Sequence, residues 1–323
     1  MGGYIKMCKK FIDNRILGLC KETYKLIFNV VNRDYRRCLH SRGRKYKFGP
    51  RKMLEIFLKR LRFNDTFERI SSEYNISKSS AYRIYNRILL LTLTIKEFRL
   101  STINKLESGI YIVDTTIIRI NRSGNDILQQ RQYSGKHKQH CCKIQIIIRK
   151  DSKAPEAVSF TSFGSIHDYN LFKNTIHNLP DDIIFIADSG YQGLEKLIPG
   201  SKTPIKQSKY HQLSEKEKLS NKKLSQSRIL IENTNSYIKR FKILSTTYRG
   251  NLKQLEIIVK LIAGIARYEL LNCSVNFCFY FICGTTLINH FKITLNINLM
   301  LTTIMQIPLL MTQRECIQAR KNV

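Results

Sequence analysis

Residues 110–120 read IYIVDTTIIRI, a run of β-branched and apolar residues interrupted by one acid, Asp114. This composition predicts a β-strand, in which an aspartate is normally disfavoured. A second apolar run, residues 183–187, ends at Asp188, and ligand-facing residues of α/β sheets commonly lie where strands end. The two runs therefore predict two strands of a sheet, one with an acid within it and the other with an acid at its end.

Patterns on either side of these runs complete an α/β segment. They predict strands at 141–149 and 157–163, a possible short strand at 204–206, and helices at 167–177 and 214–241. The last helix begins with Ser214 and Glu217 in the spacing of a capping box. This order of strands and helices predicts a mixed sheet flanked by helices, an α/β fold.

The charge balance of the chain indicates a polyanionic partner. Its 323 residues contain 55 Lys and Arg against 24 Asp and Glu, a formal net charge of +31, and such a surplus most often matches nucleic acid. An apolar fraction of 43% excludes a disordered tail protein. Nine cysteines without a C-x-x-C pair argue against a disulfide scaffold. Residues 1–21 lack the apolar core of a secretory peptide, so we expect an intracellular protein.

A third acid, Glu232, lies on the predicted helix 214–241. Arg228, four residues before it, and Lys239, seven after it, share its helical face, so this face could bind a metal ion with phosphates beside it. Taken singly, each of the three acids is better interpreted as a cap, a turn acid or a surface residue of a helix. Taken together in so basic a chain, they favour a divalent-cation site and metal-dependent phosphodiester chemistry.

Residues 50–100 predict three helices that form a DNA-binding unit. Pro50 suits a first helical turn, and Asp65 with Glu68 resembles a capping box at the second helix. Ser77 can cap the third helix. The outward face of that helix carries polar and basic residues: Lys78, Ser79, Tyr82, Arg83, Asn86 and Arg87. This arrangement fits a helix-turn-helix that presents these residues to DNA, although plain helical hairpins share the pattern.

The two terminal segments differ from the rest in composition. Residues 1–49 form a basic, helical N-terminal arm; the run 33–52 interleaves Lys and Arg with aromatic residues, and could bind phosphates or be a solvated linker. Between residues 272 and 313 the only charged side chain is Lys292. A pair of membrane spans is one interpretation of this apolar segment, but its Asn and Thr residues are costly in lipid. We therefore interpret residues 272–323 as an extension of doubtful function.

Short motifs follow one another along the chain: IVDTT at 112–116, YSGK at 133–136, GSIHD at 164–168, ADSGYQG at 187–193, Arg228-x3-Glu232-x6-Lys239, IKRFKIL at 238–244 and LIAGI at 261–265. Together they resemble DDE transposases of bacterial insertion sequences, in particular the IS-five/Harbinger-like group. The helix motif of that group has a tyrosine where this chain has Ser225. The resemblance covers about residues 50–271, including the helix-turn-helix.

The resemblance implies a ribonuclease H-like catalytic domain at residues 107–271, preceded by an all-α helix-turn-helix domain at residues 50–100. It implies that Asp114, Asp188 and Glu232 are the catalytic acids and the ligands of two Mg²⁺ or Mn²⁺ ions. The residues expected around them are Arg228 and Lys239, which would contact DNA, and His167 and Asp168, which would support the site.

The function implied is that of a transposase, which binds terminal inverted repeats and catalyses metal-dependent DNA end cleavage and strand transfer. Its expected partners are double-stranded DNA, as transposon ends and as target, and a second copy of the chain in a dimer. We expect no membrane association and a cytoplasmic location at the nucleoid. The alternative is a catalytically silent DNA-binding protein derived from a transposase, against which the presence of all three acids argues.

Overall fold

The computed structural model of the protein describes residues 18–43, 45–177, 179–207 and 212–272. The first 17 residues of the predicted basic arm and residues 273–323 of the predicted extension lie outside this part of the chain. Within the described ranges, no helix is both long and apolar enough to span a bilayer.

The described chain begins with a helical part and continues as an α/β part. The helical part contains α1 (Lys21–His40), α2 (Pro50–Phe63), α3 (Phe67–Tyr74) and α4 (Lys78–Thr92). The 3-10 turns Lys96–Phe98 and Ile103–Lys105 lead into the α/β part. Its strands are β1 (Gly109–Arg119), β2 (Tyr133–Ser134), β3 (Gln139–Arg149), β4 (Pro155–Val158), β5 (Ser162–Phe163) and β6 (Ile183–Ile186). Its helices are α5 (Asp126–Gln132), α6 (Asp168–Thr175), α7 (Leu194–Leu197), α8 (Glu215–Lys239), α9 (Lys242–Ser245) and α10 (Leu252–Asn272), and the 3-10 turn Ser189–Tyr191 follows β6.

Strand β1 lies at the centre of a mixed sheet. It pairs with β3 in the antiparallel sense and with β6 in the parallel sense, while β2, β4 and β5 all pair with β3. β1 thus has a strand on each side, and its residues Tyr111, Ile112, Val113 and Ile118 are buried, as expected for a nearly continuous apolar run. The predicted mixed sheet flanked by helices is confirmed.

The two faces of β1 pack against different parts of the protein. Tyr111 and Val113 belong to an apolar cluster with Phe172 of α6 and Phe185 of β6. Successive side chains of a strand point to opposite faces, so Asp114 lies on the other face, where α8 contacts the sheet. The sequence of β1 therefore directs its one acid away from the apolar cluster and towards α8.

The helical part contains the predicted pair of helices across a tight turn. Asn75 adopts a left-handed conformation (φ 48°) after α3, and the Ser77 side chain accepts a hydrogen bond from the Ser80 amide as the N-cap of α4. Ile56 of α2 packs with residues of α3 and α4 in a small core. The expected cap of α3 is wrong, because Thr66 rather than Asp65 occupies the N-cap position.

Three further details depart from the sequence patterns. The single strand predicted at 157–163 is two short strands, β4 and β5. The possible strand at 204–206 does not form, because the backbone of Ile205 exchanges two hydrogen bonds of 3.0 Å with the side chain of Asn221 on α8. Helix α5 was not predicted, since its sequence DILQQRQ has no apolar stripe.

Candidate active site

The sheet brings Asp114 and Asp188 to the same level on neighbouring strands. Ile112 of β1 is paired with Ile186 of β6 in parallel register, and each acid lies two residues further along its own strand direction. The Asp188 side chain accepts a hydrogen bond of 2.8 Å from the amide of Gly190, which fixes the carboxylate at the start of the 3-10 turn. Asp114, in the middle of β1, and Asp188, two residues past the end of β6, are therefore close enough for the charge of Asp188 to act on Asp114.

The electrostatics of Asp114 show that negative charge accumulates at this point. Burial, and then the charge of Asp188, raise the pKa of the Asp114 carboxyl from 3.8 to about 6. Arg228 acts in the opposite direction and Asp168 adds to the rise. A carboxylate pair of this kind is relieved by a bound cation, whose charge outweighs the cost of burial.

Helix α8 supplies the groups that face these acids. The Asn235 amide nitrogen donates a hydrogen bond of 2.8 Å to Asp114 Oδ2. Burial lowers the pKa of the Lys239 ammonium, and the charge of Asp114 partly offsets this. Arg228, seven residues before Asn235, and Lys239, four residues after it, therefore bring positive charge towards Asp114 from the same helix.

Glu232 is placed differently from the two aspartates. Its carboxylate lies 3.7 Å from an Arg228 nitrogen, and its side chain is 58% exposed. The described ranges contain no group of three or more His, Cys, Asp or Glu side chains arranged to hold a metal ion. The structure therefore brings Asp114 and Asp188 together, and leaves Glu232 in the i,i+4 ion pair that its spacing from Arg228 allows.

Asp168 lies beside the aspartate pair, at the start of α6. Its Oδ1 accepts a hydrogen bond of 2.9 Å from Lys143 Nζ, and both side chains are largely buried. A β-carbon added to Gly190 would lie 2.9 Å from Asp188 Oδ1 and 3.4 Å from Asp168 Oδ2. The bare backbone of Gly190 therefore lets the two carboxylates approach. His167 is the N-cap of α6, and its ring accepts from the Tyr169 amide at 3.4 Å.

Sequence reasoning missed two polar residues of β3 that support this region. Lys143 bridges to Asp168, and the Gln145 amide donates to the buried Tyr191 hydroxyl at 3.0 Å. Tyr191 in turn shares a hydrogen bond of 2.7 Å with Thr115. The signal was present, since a Lys and a Gln interrupt the isoleucine-rich run of β3, and buried polar residues usually have a partner.

The six predicted DNA-reading residues of α4 divide into two groups. Ser79, Tyr82 and Arg83 are exposed, and within the described chain no hydrogen bond or ion pair involves the Arg83 side chain. The other three make contacts within the protein. Lys78 forms an ion pair with Glu68, and Arg87 donates hydrogen bonds of 2.7 and 2.8 Å to the Asp34 carboxylate of α1. The Asn86 amide oxygen accepts a hydrogen bond of 2.6 Å from Gln254 of α10. The Arg87 hydrogen bonds lower the pKa of Asp34.

Comparisons with known proteins agree with this geometry. Residues 105–263 match the family model described as "Transposase DDE domain". Through this segment the chain is similar to the DDE transposase family. A relative described as "Probable transposase for insertion sequence element IS702", from Microchaete diplosiphon, is 29% identical over 261 residues, which are 79% of this chain and 93% of that protein.

These matches confirm the resemblance to DDE transposases on which the ribonuclease H-like fold was predicted; the narrower IS-five/Harbinger-like group stays a prediction. DDE transposase domains generally use divalent metal ions. Asp114 and Asp188 fit such an ion, because burial and the charge of Asp188 raise the pKa of Asp114. Carboxylate oxygens also suit hard cations.

The raised pKa of Asp114 predicts a pH-dependent effect on stability. We expect Asp114→Asn to raise the free energy of unfolding of the metal-free protein near neutral pH by roughly 1–3 kcal/mol. The folded-state pKa of about 6 exceeds the ordinary value of 3.8, so between these values the folded protein keeps a proton that the unfolded chain releases. The ionised Asp114 side chain therefore does not lower the free energy of unfolding below pH 4, and it lowers it fully above pH 6.

Urea unfolding in EDTA near pH 4 and near pH 7.5 measures this difference. The exposed turn residue Asp151 provides the control, since Asp151→Asn removes a carboxylate that is not buried. Asp114→Asn should gain stability over the native chain only at the higher pH. An equal gain at both pH values would contradict the proposed cause.

Proposed function

We propose that this transposase binds the terminal inverted repeats of its insertion sequence, cleaves the DNA ends and joins them to target DNA in a reaction that requires a divalent metal. The observation that carries the proposal is the parallel register of β1 and β6, which places Asp114 and Asp188 side by side. A transposase needs such a carboxylate pair where DNA phosphates and metal ions meet, and the surrounding Arg228 and Lys239 supply positive charge.

Asp114, Asp188 and Glu232 are the residues proposed to hold two Mg²⁺ or Mn²⁺ ions. When bound, such ions neutralise phosphodiester charge and activate a water or a 3′-hydroxyl for attack. Asp114 and Asp188 offer a preformed pair of oxygen donors. Glu232 can join them at small cost, because a half-exposed i,i+4 ion pair such as that with Arg228 contributes only about 0.3–0.5 kcal/mol.

The DNA backbone is proposed to run along the end of β1 and the C-terminus of α8. A cavity of about 160 Å³ lies there, lined by Ile117, Arg119, Gln139, Lys239, Leu244 and Ser245. Two cationic side chains with an amide and a hydroxyl can contact phosphate oxygens without reading bases. Because Lys239 lies in this cavity and also interacts with Asp114, the phosphates held there would be close to the carboxylate pair.

The helix-turn-helix is proposed to read the inverted repeats through the N-terminal part of α4. Ser79, Tyr82 and Arg83 are exposed there, as recognition residues must be. Lys78, Asn86 and Arg87 are proposed to contact DNA from positions that their intramolecular partners fix.

His167 and Asp168 are proposed to support the carboxylate pair. The active species is proposed to be a dimer on DNA at the nucleoid.

Arg83 gives a specific prediction for DNA recognition. Arg83→Ala should lose roughly 1–3 kcal/mol of discrimination at one base pair of the inverted repeat, because an arginine can contact guanine through two hydrogen bonds. Fluorescence anisotropy against the repeat and against single-base variants measures this loss. Arg99→Ala is the control, since Arg99 is an exposed arginine outside α4. If both variants keep the same base preferences as the native chain, α4 is not the reading helix.

One observation favours a second candidate, the catalytically silent DNA-binding protein. Glu232 is paired with Arg228 and stands apart from the two aspartates in the described part of the chain. Incubation of the full-length protein with a DNA end that carries the flanking inverted repeat, in Mg²⁺, in Mn²⁺ and in EDTA, decides between the two. The transposase proposal requires cleavage with one of these ions and none in EDTA; specific binding without cleavage with either ion would favour the silent protein.

A further inference from the structure

The amide of Asn235 contacts the Asp114 carboxylate in a way that the similarity to DDE transposases does not explain. Its Nδ2 donates a hydrogen bond of 2.8 Å to Asp114 Oδ2. An ionised carboxylate only accepts hydrogen bonds, so the amide must present its nitrogen to Asp114. The orientation of the Asn235 side chain is therefore fixed, and its oxygen Oδ1 is directed elsewhere.

That oxygen is buried and has no hydrogen-bond partner among the described residues. Buried acceptors in native proteins are nearly always satisfied, and an exception calls for a water or an ion. Asn221, on the same helix, shows the usual arrangement. Both its amide atoms are bonded to the backbone of Ile205, at 3.0 Å each. Asn235 thus differs from Asn221: its Nδ2 is hydrogen-bonded to Asp114, whereas its buried Oδ1 has no hydrogen-bond partner among the described residues.

We propose, on the basis of the function proposed above, that Asn235 is a positioning residue of the cation site. Its amide nitrogen holds the Asp114 carboxylate, and its free amide oxygen accepts a hydrogen bond from a water molecule bound to the divalent cation. Groups that orient a ligand in this way commonly change metal affinity by 10- to 100-fold. Asn235 therefore links α8 to the cation site independently of Glu232, which lies one turn earlier on the helix.

Binding of Mn²⁺ to the full chain tests this role without any measurement of DNA cleavage. Electron paramagnetic resonance of free Mn²⁺ gives the dissociation constant for the native chain and for Asn235→Ala, Asn221→Ala and Asp114→Ala. We expect Asn235→Ala to weaken Mn²⁺ binding by about 10- to 100-fold and Asp114→Ala to abolish it at this site. Asn221→Ala should bind Mn²⁺ like the native chain, although it loses two hydrogen bonds.

The outcomes separate this inference from the proposed function. If the native chain shows no Mn²⁺ binding that Asp114→Ala removes, the metal-dependent function itself fails. If Asp114→Ala removes binding but Asn235→Ala and Asn221→Ala bind equally well, only the role of Asn235 is wrong.

A second variant covers the case in which Asn235→Ala does not fold. Asn235→Asp places another carboxylate against Asp114, so it should unfold at a lower temperature than the native chain in EDTA and gain more from added Mn²⁺. Thermal unfolding followed by circular dichroism measures both effects. An equal Mn²⁺-induced gain in the native chain and in Asn235→Asp would show that residue 235 does not face the cation.

Discussion

Asp114→Asn and Asp188→Asn should each reduce Mg²⁺-dependent cleavage of a DNA end by at least about 100-fold, since removal of a direct ligand should exceed the 10- to 100-fold effect of outer groups. Both substitutions keep the size of the side chain and remove the charge that holds the ion. DNA binding should stay close to that of the native chain, because the phosphate contacts come from other residues. Cleavage and binding are measured on the same labelled inverted-repeat DNA, by gel electrophoresis and by anisotropy.

The control for this experiment is Asp151→Asn, which removes an exposed acid outside the site and should cleave like the native chain. Glu232→Gln is the informative third variant, because the structure does not bring Glu232 to the two aspartates within its described ranges. Loss of cleavage in Glu232→Gln would place it in the triad. If that variant stays active while Asp168→Asn does not, Asp168 is the third acid. Full activity of Asp114→Asn or Asp188→Asn would contradict the carboxylate site.

The positions of Asp114 and Asp188 follow largely from local sequence. Each acid ends or interrupts an apolar run, and short apolar runs rich in β-branched residues favour buried strands. In the folded sheet the middle of β1 meets the end of β6. The sequences of the two runs do not determine their register in the sheet. The pairing of Ile112 with Ile186 is therefore seen only in the folded structure.

The partners of these acids could not be predicted in the same way. Helical periodicity places Glu232, Asn235 and Lys239 near one face of α8, but it does not say which of them points at the sheet. The answer depends on how α8 is rotated against β1, and this rotation directs Asn235 to Asp114. The helix thereby leaves Glu232 half-exposed beside Arg228.

Helix α4 shows the same limit. Periodicity correctly separates the inner and outer faces of α4, but it treats every outward residue as free to meet DNA. Arg87 meets Asp34 of α1, and Asn86 meets Gln254 of α10. These contacts join segments that are distant in sequence, so no local pattern reveals them. Arg83 is exposed, and it stays the residue of α4 proposed for a base contact.

Gly264→Ala should destabilise the protein, although helix propensity alone predicts the opposite. Gly264 lies within α10, where alanine is normally favoured over glycine by about 1 kcal/mol. A β-carbon at this position would overlap the backbone carbonyl oxygen of Phe98 and lie 2.8 Å from its carbonyl carbon. Since the obstacle is backbone and not a flexible side chain, the turn Lys96–Phe98 or the helix must move.

The expected net loss is about 1–3 kcal/mol in the free energy of unfolding, the usual cost of overpacking, and urea denaturation measures it. Gly124→Ala is the matched control, because no atom lies within 4 Å of the added carbon. The affected turn joins the helical part to β1. The urea midpoint of Gly264→Ala should therefore be lower than that of the native chain, whether the unfolding of the helical part or of the α/β part is followed. A native-like midpoint for Gly264→Ala would mean that α10 does not pack against Phe98.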